Sequence, residues 1–184
     1  MPRLIAFLRA INVGGHNVTM EELRGLFAGL GLKGVETFIA SGNVIFTASS
    51  GGIQVLERKA EDRLRAALGY EVGVFIRTEA EVAAIARYKP FKASQLLTAG
   101  AFSVGFLAAP LGTAARKALM GLKTEIDDLH LHGREVYWLC KKKQSESTFS
   151  NAVFERALKV RATFRGLSTV SRLAAKYAFS PAAT

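Results

Sequence analysis

Hydrophobic and polar positions along the chain switch repeatedly between a period of two and a period near 3.6. Arg3–Ile11 is rich in β-branched and aromatic residues and predicts a strand, closed by the Gly- and Asn-punctuated loop Asn12–Val18. Thr19-Met-Glu-Glu22 has capping-box spacing, so a helix is expected from Met20 to about Leu30, with Leu23, Leu26, Phe27 and Leu30 on one face and Gly31 as its stop. Val35–Ala40 and Val44–Ala48 flank Ser41-Gly42-Asn43 as a hairpin. An amphipathic helix at Ile53–Leu68 and a strand at Glu71–Arg77 follow. Thr78-Glu-Ala-Glu81 then caps another helix, which ends at the Lys89-Pro90-Phe91 break.

The order then repeats. Ala101–Ala109 reads as a strand, Thr113–Gly121 as a short helix, and Ile126–His132 with Glu135–Cys140 as a hairpin turned at Gly133. Thr148–Leu158 is a helix, Val160–Phe164 a strand, and Ser168–Tyr177 a closing helix capped by Ser168; Ser180–Thr184 is a frayed tail. Each half is therefore β-α-β-β-α-β plus one helix, the split βαβ pattern of ferredoxin-like folds. The expected architecture is α+β, with two ferredoxin-like halves at 1–92 and 93–184 that form a structural duplication. In such a half the first and second strands run parallel with the third between them. The first β-to-α loop and the hairpin turn then share one sheet edge: Asn12–Asn17 beside Ser41–Asn43, and Pro110–Gly112 beside His132–Arg134.

Composition narrows the class. Of 184 residues 49% are hydrophobic and 22% charged, which excludes a disordered tail. A single cysteine, Cys140, excludes an internal disulfide and CxxC-type sites. Ala93–Ala115 carries no charge over 23 residues, yet its Gly, Pro, Ser and Thr content fits a buried strand with loops better than a membrane span. The apolar start is too short for a secretory signal, and a cytoplasmic location is expected. The formal charge is +10, and the excess is uneven: Gly133–Thr184 holds ten basic and three acidic residues. Such a surface attracts polyanions, or simply keeps an Ala-rich chain in solution.

Two stretches, LRAINVGGHNVTMEEL (Leu8–Leu23) and FIASGNVIF (Phe38–Phe46), resemble the bacterial family catalogued as domain of unknown function 1697. Ser145–Ser147, the pair Thr163 and Arg165, and STVSRLA (Ser168–Ala174) are similar to its C-terminal pattern, although Gly166-Leu167 stands where members usually carry a Trp after the Arg. The resemblance implies a two-part α+β fold related to ferredoxin-like units and no established activity, cofactor or substrate.

The candidate chemistry is a binding chemistry. Gly14 and Gly15 permit positive φ, the helix at Met20 offers amides, and Asn12, His16 and Asn17, with Arg9 before them, could orient a phosphate or carboxylate. Gly42 and Asn43, with Ser41, join that cluster through the shared edge. The competing reading is a tight connection that needs Gly and Asn for its backbone, since no nucleotide-binding fingerprint is present. Ser41 lacks a nucleophile elbow, which excludes a serine hydrolase of that type. Asp128, His130 and His132 share one strand face, but a fourth ligand is missing and a wet hairpin face explains them better, so no metal is assigned. Cys140 reads as a small buried hydrophobe.

The nucleic-acid alternative rests on Lys141, Lys142, Lys143, Arg161, Arg165 and Arg172, with Tyr137 and Trp138 as stacking rings. A protein-interaction module using the Ala93–Ala115 stretch is the third class. The expected partner is thus an anionic small molecule or nucleic acid, with no membrane, no cofactor and no catalytic constellation.

Overall fold

A computed structural model describes residues 1–39, 42–49 and 51–178; Ser41 and the expected tail at Ser180–Thr184 lie outside the described residues. The first strand, β1 (Arg3–Arg9), stops two residues earlier than its apolar content predicts, because Ala10 turns to φ +62°. The helix α1 (Met20–Ala28) starts as the sequence requires. Thr19 Oγ1 accepts from the Glu22 amide at 3.1 Å, and Glu22 accepts from the Thr19 amide at 2.8 Å. The hairpin strands are β2 (Lys33–Thr37) and β3 (Asn43–Thr47), with a register shift between Lys33 and Glu36. Then come α2 (Ile53–Leu68), at its expected bounds, and β4 (Gly73–Thr78). The next helix, α3 (Glu79–Arg87), is held by the reciprocal Thr78–Glu81 bonds.

The second series opens with a helix the sequence reading lacks, α4 (Ala93–Leu97), before β5 (Ala101–Phe106). It continues with α5 (Thr113–Met120), β6 (Asp127–His132) and β7 (Glu135–Cys140), the hairpin turning at Gly133 with φ +58°. In α6 (Asn151–Leu158) the start is later than expected, because Ser150 accepts from the Val153 amide and so sets the cap. Next are β8 (Thr163–Gly166) and α7 (Leu167–Leu173), which passes into one π-helical turn at Ala174–Ala178. Ser168 therefore lies inside the last helix and not at its cap: β8 runs straight into the helix at Gly166-Leu167.

Each series builds one antiparallel four-stranded sheet, ordered β2-β3-β1-β4 and β6-β7-β5-β8. These are the same order, which establishes two ferredoxin-like halves in an α+β fold. By contact the chain resolves into two compact units, Ile85–Val170 and Met1–Ala84 joined by the stretch from Ser171. In the first unit, Leu4, Ala6, Leu8, Val44, Phe46, Val74 and Ile76 alternate onto one sheet face and meet Leu23, Phe27, Ala60 and Leu64 of α1 and α2. In the second, Val136, Trp138 and Cys140 do the same against Leu119, Phe154 and Leu158.

Both units anchor the chain around the fourth strand with acids from the helix that precedes it. Glu57 and Glu61 of α2 accept from the Ile76 and Val74 amides of β4, and Glu155 of α6 accepts from the Ala162 amide ahead of β8. The uncharged stretch holds α4, β5 and the start of α5; among the described residues no helix is long and apolar enough to cross a membrane.

Candidate functional site

The loop after β1 is built by its own polar residues. Val13 to His16 form a tight turn, with the His16 amide donating to the Val13 carbonyl at 3.1 Å and both central glycines at positive φ, +62° for Gly14 and +83° for Gly15. Two consecutive positive φ values define a type I′ turn, which explains the glycine pair. Asn12 Oδ1 accepts from the Val18 amide at 2.8 Å, closing the loop, and the Tyr70 hydroxyl donates to the Ile11 carbonyl at 2.5 Å. His16 stacks on the Tyr70 ring at 4.0 Å. Residues 12 to 17 are all exposed.

The hairpin pairs with β1 close to where that strand ends, the Leu8 amide donating to the Gly42 carbonyl at 2.8 Å. Asn43 is buried: its Nδ2 donates to the carbonyls of Phe38 at 2.9 Å and Ile39 at 3.2 Å. Those two bonds hold Ile39 at φ +45°, a conformation that a β-branched residue resists. Asn12 and Asn43 thus shape backbone, whereas Gly14, Gly15, His16 and Asn17 lie in the open loop. Arg9 packs its Cβ at 3.3 Å from where a side chain on Gly73 would sit, on the neighbouring strand.

A contribution the sequence reading did not place here comes from the C-terminal stretch. Phe38, Glu36 and Arg3 face away from the core of the first unit, and Arg172, Lys176 and Tyr177 lie on them. Tyr177 donates its hydroxyl to Glu36 at 2.8 Å and accepts from Arg3 through its carbonyl at 2.9 Å, and its ring meets Phe38 edge-on at 5.9 Å. Lys176 is 3.6 Å from Glu36 and 5.4 Å from the Phe38 centroid. Arg172, exposed, sets its guanidinium 5.7 Å from the same centroid, and among the described residues it makes no hydrogen bond or ion pair. The motif Ser168–Ala174 offered a signal for Arg172, but nothing linear pairs it with Phe38.

The other basic candidates separate from it. Lys141, Lys142, Lys143, Arg161 and Arg165 belong to the second unit. Arg165 is half-buried, donates to Thr163 Oγ1 at 2.8 Å and the Phe164 carbonyl at 3.0 Å, and burial pushes its guanidinium down to about 10. Lys141 donates to the Glu125 carbonyl at 2.9 Å, while Lys142, Lys143 and Arg161 are exposed.

Asp128, His130 and His132 also have other engagements. Lys123 pairs with Asp128 at 2.9 Å, the Tyr88 hydroxyl lies 2.8 Å from His130 Nε2, and Tyr88 stacks on His132 at 4.0 Å. No group of three potential metal ligands occurs among the described residues. On the same sheet face Tyr137 is fully buried and its hydroxyl lacks a partner among the described residues; burial first, then Glu135 and Tyr88, push its phenol up.

One polar centre escaped the sequence reading entirely. Asp127 is 3% exposed and accepts from Trp138 Nε1 at 2.7 Å, Thr124 Oγ1 at 2.6 Å and Ser147 Oγ at 2.5 Å. Burial raises its pKa, but the bonds from Ser147, Thr124 and Trp138 outweigh that and leave it below the usual aspartate value. Within Ser145–Ser147, the last serine donates to this carboxylate.

Together these features define a class, an α+β protein of two ferredoxin-like units with an open, polar loop edge on the first. The chain belongs to the family described as Protein of unknown function (DUF1697), whose model matches residues 1–137. It is similar to a solved structure titled conserved bacterial protein SP0830 from Streptococcus pneumoniae. The identity is 24%, the match covers 96% of this chain and 98% of that one, and the TM-score is 0.75. That likeness concerns the fold. No curated protein matches.

Proposed function

We propose that the protein is a cytoplasmic binder of an anionic small molecule, held at the edge where the Asn12–Asn17 loop meets the hairpin. The observation that carries this reading is Arg172, whose guanidinium lies over the ring of hairpin residue Phe38 with no acceptor among the described residues. A guanidinium held near a ring face without a protein acceptor keeps its N–H donors for a phosphate or carboxylate. The exposed Gly14 and Gly15 amides, which make no hydrogen bond among the described residues, and His16 beside them offer further donors on the loop. A buried, lone Cys140 suits a reducing compartment.

Calorimetric titration with inorganic phosphate, a sugar phosphate and a nucleotide tests the reading. Saturable binding by at least one is expected, weakened about ten-fold or more by Arg172→Ala, the scale of one lost charge-assisted hydrogen bond. Binding that ignores both Arg172→Ala and His16→Ala would overturn it. A short oligonucleotide that outcompetes every small anion, with affinity collapsing as salt rises, would transfer the site to nucleic acid.

A further inference from the structure

We propose that the second unit holds a separate site for a small zwitterion, an α-amino acid or a close analogue bearing one ammonium and one carboxylate. Where α4, the connection between α5 and β6, and the end of β7 converge, a cavity of about 240 Å³ opens, lined by Gln95, Thr98, Lys123, Glu125, Asp128 and Lys141. At about 30 Å³ per water that is room for roughly eight waters, the scale of a free amino acid.

The wall of this cavity is fixed. Asp127 contributes to it, but its carboxylate already receives three side-chain donors. Leu139 and Ile126 add aliphatic surface. The adjustable chemistry is on the remaining polar groups, and it carries both signs. Lys123 gives one N–H to Asp128 at 2.9 Å, and Lys141 gives one to the Glu125 carbonyl at 2.9 Å. An ammonium has three donors, so each lysine keeps N–H groups for a ligand carboxylate. Asp128 also accepts from Gln95 at 3.4 Å and from its neighbour's amide at 2.9 Å, while the exposed Glu125 carboxylate has no partner among the described residues.

A simple anion entering here meets Glu125, Asp127 and Asp128. A metal cation meets two lysines. A ligand with one charge of each sign sets its carboxylate against Lys123 and Lys141 and its ammonium against Asp128 and Glu125, and so satisfies both. This site lies wholly within Ile85–Val170 and does not depend on the anion edge of the first unit.

The test is calorimetric titration of the full chain with a panel of free α-amino acids at millimolar concentration, with sodium acetate and methylammonium chloride as single-charge controls. At least one amino acid should bind saturably while both controls fail. Asp128→Asn should weaken it about ten-fold or more, the scale of a lost charge-assisted bond. Lys141→Met, on an exposed side chain outside the core, should do the same and guards against a folding defect in the first variant. No binding by any amino acid, controls that bind equally well, or affinity unchanged in Lys141→Met would each overturn the proposal.

Discussion

Replacing Asp127 with Asn removes one charge and almost no volume, and the structure allows its cost to be worked out. Trp138 Nε1 can still donate to the remaining carbonyl oxygen. The new amide group instead faces the hydroxyls of Thr124 and Ser147, which now donate to the carboxylate. Rotation rescues only one of them. Thr124 Oγ1 already accepts from the Ile126 and Asp127 amides at 3.2 and 3.1 Å, whereas Ser147 Oγ accepts only from the Phe149 amide at 2.9 Å and keeps a lone pair for the new amide. A hydrogen bond to a charged group contributes about 1.5–3 kcal/mol, so losing the Thr124 bond and turning the Ser147 and Trp138 bonds into neutral ones should cost about 3 kcal/mol.

For a chain of this size that corresponds to a fall in Tm of about 6–12 °C. Urea denaturation followed by tryptophan fluorescence suits the question, because Trp138 is the only Trp in the chain and bonds the altered side chain. The acid limb supplies a second readout. Asp127 has a lowered pKa in the folded state, so its contribution is complete above the unfolded value of about 3.9 and is lost as pH falls through the folded value. Asp127→Asn should flatten that limb. A loss under about 0.5 kcal/mol, or an acid limb parallel to the parent's, would refute the reasoning.

Gly105→Ala should destabilise by about 1–3 kcal/mol in the same denaturation assay, since a Cβ there falls 2.7 Å from two carbons of the Phe164 ring. His130 should titrate below the ordinary histidine value of about 6.5 in a two-dimensional NMR pH series: burial first, then the charges of His132 and Lys123, outweigh Asp128. Its share of stability is therefore complete above that value and falls as pH drops through the lowered one. Tyr177→Phe should cost about 0.5–1.5 kcal/mol by removing the bond to Glu36, and an unchanged urea midpoint would mean that this contact does not hold the C-terminal stretch in place.

Local chemistry determined much of this protein in advance. The Thr19–Glu22 and Thr78–Glu81 boxes, the bounds of Ile53–Leu68 and the Gly133 turn are short-range effects, in which neighbouring residues satisfy one another's backbone groups, so order and periodicity sufficed for the repeated ferredoxin-like plan. Where a boundary depended on partners elsewhere, the pattern fell short. Ile39 leaves the strand path because buried Asn43 pins two carbonyls, α4 forms inside an uncharged stretch that reads as loop, and Ser168 cannot cap a helix that β8 enters directly. The site shows the same division. The exposed NVGGHN loop was legible because Gly and Asn mark turns by their own conformational freedom. Only tertiary structure brought Arg172 over Phe38, lined one cavity with Lys123, Asp128 and Lys141, and gathered Thr124, Trp138 and Ser147 around Asp127. Those groupings join side chains from separate elements, and no periodicity along a chain encodes which strands and helices come to lie side by side.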